Sequence, residues 1–107
     1  MKTINAQQLK SRLDSGSPVK LVNAMEENKF QAMHIPGSLN LYRREDIEKS
    51  LKKDDEIIAY CTDESCNKSI LLYNLLEAMG YKNVTRFGGG MREWEEAGYS
   101  LEGDKIK

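Results

Sequence analysis

The chain has 107 residues, with 16 Lys or Arg and 17 Asp or Glu, so its formal net charge is −1; this predicts one domain, residues 1–107, and argues against nucleic acid as a partner. No apolar run is long enough for a membrane span, and the first residues lack the apolar segment of a signal peptide. We therefore expect a cytoplasmic protein with no membrane partner, whose two cysteines are reduced.

The first half of the chain alternates short apolar runs with helical patterns. Asn5 and Gln8 have the spacing of a capping box, which predicts that a helix begins there. Pro36 and Gly37 predict a turn, because proline fixes its φ angle and glycine permits unusual φ angles. The predicted elements are an edge strand at 2–4, a helix at 6–13, a strand at 19–24, a short helix at 26–33, a brief strand at 38–41 and a helix at 44–51.

The second half continues this alternation around the most apolar strand of the chain. A polar turn at 52–55 precedes that strand, which covers 56–60. A polar loop follows and leads into an apolar helix that ends before Gly80. A strand at 82–87 and a helix at 91–97 complete the pattern. Strands that alternate with helices predict an α/β fold with a mostly parallel central sheet of about five strands, flanked by helices.

Cys61 lies between the most apolar strand and the helix that begins near Ser69. In open parallel sheets, ligands bind at the carboxyl ends of the strands. Backbone N–H groups and the helix dipole at such a place stabilise a thiolate, which makes a cysteine a usable nucleophile. Free cysteines are also among the most buried residue types, so this position alone fits an ordinary core residue equally well.

Four blocks in the order of a known family cover nearly the whole chain. They are Leu21-Val22-Asn23-Ala24, the stretch from Phe30 through His34-Ile35-Pro36-Gly37 to Leu41, Tyr60-Cys61 with the helix and strand that follow, and Gly89-Gly90 with Trp94 and Ala97-Gly98. In this order and at these separations, the blocks resemble a single rhodanese domain. The resemblance implies a three-layer rhodanese-like fold, with a mostly parallel sheet between two layers of helices.

The resemblance also implies sulfurtransferase chemistry, with Cys61 as the catalytic residue. A donor, either thiosulfate or a persulfide, would pass its outer sulfur to the Cys61 thiolate, and a thiol or protein acceptor would then remove it. The family chemistry implies no cofactor and no metal. The active-site loop would bind the donor and stabilise the persulfide through backbone N–H groups. This loop consists of Thr62, Asp63, Glu64, Ser65, Cys66, Asn67, Lys68 and Ser69.

Two parts of the chain depart from the family pattern. Asn23 and Met25 stand where the family strand usually has Asp and Arg, and we expect neutral contacts to replace that charged pair. The loop is longer than in many active rhodanese domains and carries Asp63 and Glu64, with Lys68 as its only basic residue. Carboxylates near the nucleophile would oppose a dianion such as thiosulfate, so we expect a persulfide or protein-bound sulfur to be the better donor.

Cys66 completes a Cys61-x4-Cys66 loop, a spacing that resembles one subgroup of rhodanese domains. Either Cys66 is a resolving thiol that attacks the Cys61 persulfide, or it is a spare loop thiol. Zinc is not expected, because a structural zinc site needs four Cys or His ligands and the chain has two cysteines and His34. We expect His34 to stabilise its turn. Phosphatase activity is not expected either, since Asn67 stands where an arginine would grip phosphate.

Two functions of different classes stay open at this point. The first is a sulfurtransferase that works through Cys61. The second is a weakly catalytic rhodanese-like module that binds a partner or senses redox state through Cys61 and Cys66. Sulfur transfer to an acceptor would support the first, and a reversible disulfide with little sulfur transfer would support the second.

Overall fold

The structure is a computed structural model that describes residues 1–106. Helices and strands alternate through this range, in agreement with the predicted α/β class. Within it, no helix is long and apolar enough to cross a membrane. The elements are α1 (Ala6–Asp14), β1 (Val19–Asn23), α2 (Glu27–Ala32), β2 (Leu39–Asn40), α3 (Arg44–Ser50), β3 (Glu56–Tyr60), α4 (Lys68–Ala78), β4 (Asn83–Phe87) and α5 (Gly90–Glu96).

The strands form one sheet in the order β2-β1-β3-β4, and every neighbouring pair is parallel. Strand β3 lies inside the sheet and pairs with both β1 and β4 along its whole length. Parallel strands align their carboxyl ends, so Tyr60 of β3 lies beside Asn23 of β1 and Phe87 of β4. The end of β3 is therefore enclosed by neighbouring strands on both sides.

The sheet has four strands, one fewer than predicted. The difference is the segment at 2–4, which was predicted to be a strand. That segment contributes a single bridge, in which Thr3 lies beside Arg86 of β4. The pairing stops at once because Asn5 begins α1. The Asn5 side chain accepts a hydrogen bond from the Gln8 N–H, and the Gln8 side chain accepts one from the Asn5 N–H. This confirms the predicted capping box.

Two apolar layers, one on each face of the sheet, confirm the predicted three-layer architecture. Successive side chains of a strand point to opposite faces, so Ile57 and Ile58 of β3 enter different layers. One layer lies beneath α1 and α5 and includes Leu9, Leu21, Ile58, Phe87 and Trp94. The other lies beneath α3 and α4 and includes Val22, Ile47, Ile57, Leu72 and Leu76.

His34 ties the turn after α2 to the end of the chain. Its Nδ1 lies 2.7 Å from the Phe30 carbonyl oxygen, and its Nε2 lies 3.0 Å from a carboxylate oxygen of Glu102. The backbone N–H of His34 also donates to the Glu102 carbonyl, at 2.8 Å. His34 thus makes the hydrogen bonds expected of it, and they join the start of its turn to Phe30 and Glu102.

Candidate active site

Cys61 follows directly after β3, at the carboxyl edge of the sheet, and is only 1% exposed. The residue before it is anchored: the hydroxyl of Tyr60 accepts a hydrogen bond from the Ile35 N–H at 3.0 Å and lies 2.8 Å from the Ser38 hydroxyl. Burial is the largest influence on Tyr60 and raises the pKa of its phenol. Cys61 is thus held at the end of a strand whose last four residues are buried.

The start of α5 fixes the backbone of Cys61. The N–H of Met91 donates to the Cys61 carbonyl at 3.1 Å, and the N–H of Arg92 donates to the Thr62 carbonyl at 2.9 Å. Gly90 makes this approach possible: a Cβ atom there would lie 2.4 Å from the Cys61 carbonyl oxygen, and its φ angle is +60°. The need for a glycine at this position follows from contact with the cysteine loop.

The sulfur atoms of Cys61 and Cys66 are bonded to each other, at 2.03 Å, with the two Cα atoms 6.4 Å apart. The expectation that both cysteines are reduced therefore does not describe this structure. A tight turn explains how the pair meets: the Cys66 N–H donates to the Asp63 carbonyl at 3.1 Å, which folds the loop back toward Cys61. Cys66 is half-buried, and hence more accessible than Cys61.

The loop carboxylates have different surroundings. One oxygen of the Asp63 carboxylate accepts hydrogen bonds from the Ser65 hydroxyl at 2.7 Å and the Ser65 N–H at 3.0 Å. The hydroxyl contact, with weaker help from the N–H contact and the Arg92 charge, outweighs desolvation and lowers the pKa of Asp63. Glu64 is exposed. Both carboxylates line an open hollow on the α5 side of the loop, with Ser65, Gly89, Arg92, Glu93 and Glu96.

The first turn of α4 follows the loop immediately. Among residues 1–106, no hydrogen-bond acceptor contacts the backbone N–H groups of Lys68, Ser69 or Ile70. The hydroxyl of Ser69, a residue that is 1% exposed, accepts a hydrogen bond from Arg86 Nε at 2.9 Å. Three backbone donors at the N-terminus of α4 are therefore without a partner among the described residues, and they begin two residues after Cys66 in the chain.

A family model for the rhodanese-like domain matches residues 5–97. The chain belongs to the rhodanese-like domain family. This confirms the family-level resemblance and the fold inferred from the four sequence blocks. The structure also has the spacing of the Cys-x4-Cys loop, although membership of a particular subgroup does not follow from the family match.

Relatives of this rhodanese-like domain include three longer proteins. It is 31% identical over 101 residues to the HTH-type transcriptional regulator Rv0324 of Mycobacterium tuberculosis, matching 92% of this chain and 44% of that protein. It is 28% identical over 94 residues to the putative sulfur carrier protein YrkF of Bacillus subtilis, matching 85% of this chain and 49% of that protein. It is 34% identical over 86 residues to the adenylyltransferase and sulfurtransferase UBA4 of Candida albicans, matching 71% of this chain and 19% of that protein. The chain thus spans less than half the length of each.

Solved structures share the fold of this rhodanese-like domain. The rhodanese-like domain of the Alr3790 protein from Anabaena sp. superposes with a TM-score of 0.87 at 24% identity, covering 98% of this chain and 81% of that chain. The thiosulfate sulfurtransferase from Pseudomonas aeruginosa superposes with a TM-score of 0.82 at 22% identity, covering 100% of this chain and 21% of that chain. At these identities the likeness establishes the fold alone.

Asn23 and Met25 make neutral contacts at the position where the family usually has a charged pair. The Asn23 side-chain oxygen accepts a hydrogen bond from the Met25 N–H at 2.7 Å, and its amide nitrogen lies 3.6 Å from the Met25 sulfur. The same sulfur lies 3.5 Å from the hydroxyl of Thr62 in the loop. The expected neutral replacement is confirmed, and it supports the first residue of the loop after Cys61.

Two arginines that were not predicted as site residues lie near the loop in addition to Lys68. Arg92 borders the same hollow as Asp63, and Arg86 contacts Ser69 from β4. Lys68 itself lies 3.4 Å from a carboxylate oxygen of Glu26. The parallel sheet offered a signal, because residues at the carboxyl end of β4 share an edge with Cys61. Within residues 1–106, no three His, Cys, Asp or Glu side chains are grouped to hold a metal ion.

Proposed function

We propose that this rhodanese-like domain is a sulfurtransferase that moves sulfane sulfur through a persulfide on Cys61. The observation that supports it most is the position of Cys61: its sulfur lies at the carboxyl end of a central parallel strand, bonded to a second cysteine in the loop that leads into α4. Thiolates at such positions gain stability from the N-terminal amides of the helix. The two relatives named as a sulfur carrier and a sulfurtransferase support the same class of chemistry.

A thiol reductant must first open the bond between Cys61 and Cys66. The incoming thiolate attacks the more accessible Cys66 sulfur and bonds to it, and the electron pair of the broken bond passes to Cys61 as a thiolate. A second thiol then displaces the first from Cys66, releasing an oxidised disulfide of the reductant. The domain becomes a dithiol, and two reductant thiols are oxidised for each protein disulfide reduced.

Sulfur transfer follows in two displacements. The Cys61 thiolate attacks the outer sulfur of the donor, forms a new sulfur–sulfur bond and expels sulfite from thiosulfate, or a thiolate from a persulfide. An acceptor thiolate then attacks the outer sulfur of the Cys61 persulfide, takes it as its own persulfide and returns the electron pair to Cys61. The unoccupied N–H groups of Lys68, Ser69 and Ile70 are suited to stabilising the negative charge on Cys61 before and after the first step.

Cys66 provides a second way to remove the outer sulfur from the Cys61 persulfide. Its thiolate can attack the inner sulfur of the Cys61 persulfide, which expels hydrosulfide and regenerates the Cys61–Cys66 disulfide. The loop already brings the two sulfur atoms within bonding distance, which supports a resolving role for Cys66. We also propose a cytoplasmic location, because sulfur transfer needs a reduced Cys61 and glutathione and thioredoxin keep thiols reduced in that compartment.

The disulfide also supports a second candidate function, a redox-sensing module with little sulfur transfer. In that case the physiological reaction is the opening and closing of the bond, and the persulfide plays no part. The two functions differ in one measurable respect, which is net transfer of sulfur from a donor to an acceptor thiol.

Turnover of sulfur from donor to acceptor thiol tests the proposal. Protein reduced by a dithiol is mixed with glutathione persulfide, or with thiosulfate, and a separate acceptor thiol, and acceptor persulfide is quantified over time. We expect ping-pong kinetics, loss of turnover in Cys61→Ser, and turnover in Cys66→Ser. Equal rates for Cys61→Ser and the unaltered protein would overturn the proposal. A disulfide that forms and opens without acceptor persulfide would favour the redox module.

A further inference from the structure

Arg86 has a backbone fixed from two directions and a side chain that faces α4. Its N–H donates to the Lys2 carbonyl at 2.8 Å, and its carbonyl accepts from the Ile4 N–H at 3.0 Å. These bonds hold Arg86 at the outer edge of β4, where the segment at 2–4 makes its single bridge. On the other edge, β4 pairs with β3, and Arg86 is the partner of Ala59, two residues before Cys61.

The guanidinium group of Arg86 lies between the two segments that hold the ends of the cysteine loop. Its Nε donates to the buried hydroxyl of Ser69, three residues after Cys66. Its Nη1 would lie 2.8 Å from a Cβ atom built on Gly88, two residues before the glycine that contacts the Cys61 carbonyl. A side chain at position 88 would therefore require the guanidinium group to shift.

Arg86 is not paired with a carboxylate. The ion pairs among residues 1–106 involve other arginine, lysine and histidine side chains, and none includes Arg86. A half-buried arginine that is always charged and has no acidic partner leaves its positive charge available to its surroundings. Those surroundings are the first turn of α4 and the base of the loop.

We propose that Arg86 is a positioning residue for the sulfur chemistry of Cys61. It fixes the first turn of α4 through Ser69 and holds a positive charge beside the loop, which together stabilise the Cys61 thiolate and persulfide. This inference rests on the proposed function for its purpose, but the arrangement of charge is a property of the domain itself.

Other charged groups around the loop set the background for this effect. Asp63 and Glu64 belong to the loop, and Lys68 begins α4 with Glu26 3.4 Å away. From α5, Arg92, Glu93 and Glu96 face the hollow beside Asp63. The carboxylates destabilise a thiolate by like-charge repulsion. The unpaired positive charge of Arg86, on the β4 side, offsets that repulsion.

The test measures the pKa of the Cys61 thiol in a Cys66→Ser background, where one thiol remains. The pKa is obtained from the pH dependence of the alkylation rate with iodoacetamide. We expect Arg86→Gln to raise the pKa of Cys61 by roughly 0.5 to 1.5, the effect of one partly screened charge. Arg86→Lys keeps the charge and should restore at least half of that difference. Lys82→Gln, which removes an exposed charge at the opposite end of β4, is the matched control and should leave the pKa unchanged.

Two further variants disturb the contacts of the Arg86 guanidinium group but keep its charge. Ser69→Ala removes the acceptor, and Gly88→Ala places a methyl group against the guanidinium group; each should raise the Cys61 pKa while keeping Arg86. They also serve if Arg86→Gln fails to fold. A Cys61 pKa that stays the same in Arg86→Gln, or in both of these variants if that one is unfolded, would overturn the inference. Because alkylation needs no sulfur donor, the result is independent of whether the domain transfers sulfur.

Discussion

At the scale of single residues, Asp63 and Glu64 place two negative charges in the loop that follows Cys61. The Ser65 hydroxyl and N–H both donate to Asp63, which lowers the pKa of its carboxyl. Asp63 also shapes the turn that brings Cys66 back to Cys61. Glu64 is exposed, makes no such contact among the described residues and can be altered without disturbing the turn.

Glu64→Gln should raise kcat/KM for thiosulfate about two- to fivefold at low ionic strength, because one screened like charge is removed from the path of a dianion. The gain should shrink in high salt and be smaller for a monoanionic persulfide donor. Glu77→Gln, near the far end of α4, is the matched control. An equal response of both variants, or no response at low salt, would show that Glu64 does not act on the donor.

The positions of Cys61 and the loop could be predicted from the sequence, but the contacts of these residues could not. An apolar strand, a polar break and an apolar helix are local patterns that predict where Cys61 and the eight loop residues lie, whereas the roles expected of them came from the resemblance to rhodanese domains. The bond between Cys61 and Cys66 depends on the fold of the loop, which spacing alone does not determine. Arg86 was missed because its contact joins residues 17 apart in the chain, and single-sequence periodicity says nothing about such pairs.

At the scale of elements, α5 acts on the site through its first turn. The N–H groups of Met91 and Arg92 hold the carbonyls of Cys61 and Thr62, and Gly90 lets the two segments approach. The central strand and the apolar helix after it were predicted from their apolar residues, and α1 from its capping box and the apolar residues on one face. The segment at 2–4 was predicted as a strand but makes one bridge, because the capped start of α1 ends the pairing.

Gly90→Ala should lower the free energy of unfolding by about 2 kcal/mol or more and reduce sulfur transfer, since a methyl group collides with the Cys61 carbonyl. Gly98→Ala is the matched control: its φ angle of +87° is also positive, but its Cβ would meet nothing within 4 Å. It should cost about 1 kcal/mol, from backbone strain alone, and leave transfer unchanged. Denaturant titration and turnover assays compare the two. Equal losses in both would contradict a specific role for the Gly90 contact.

At the scale of the whole molecule, the end of β3 links the core to the site. Tyr60 is fully buried, and its hydroxyl satisfies the Ile35 N–H and contacts Ser38. Burial raises the pKa of Tyr60 above its ordinary value of 10.0. The protonated phenol of Tyr60 contributes fully to the free energy of unfolding below pH 10. This contribution is lost as the pH rises above that value, because the unfolded chain releases the proton before the folded chain does.

Tyr60→Phe should lower the free energy of unfolding at neutral pH by about 1–3 kcal/mol, because it leaves the buried Ile35 N–H without an acceptor. The variant should also lose less stability between neutral pH and pH values above 10 than the unaltered protein does. Tyr42→Phe, at an exposed tyrosine, is the control and should change neither quantity. An identical alkaline loss in Tyr60→Phe and the unaltered protein would contradict this assignment of the proton.

The mass of the intact protein after reaction with a sulfur donor tests the central claim most directly. Reduced protein, freed of reductant, is treated with glutathione persulfide and measured alongside Cys61→Ser and Cys66→Ser, and the site is located by peptide mapping. We predict a gain of one sulfur atom on Cys61 that is stable in Cys66→Ser, is absent from Cys61→Ser, and gives way to the Cys61–Cys66 disulfide with release of sulfide in the unaltered protein. A gain of sulfur on Cys66 in Cys61→Ser at the same rate as on the unaltered protein, or no gain at Cys61 in Cys66→Ser, would contradict it.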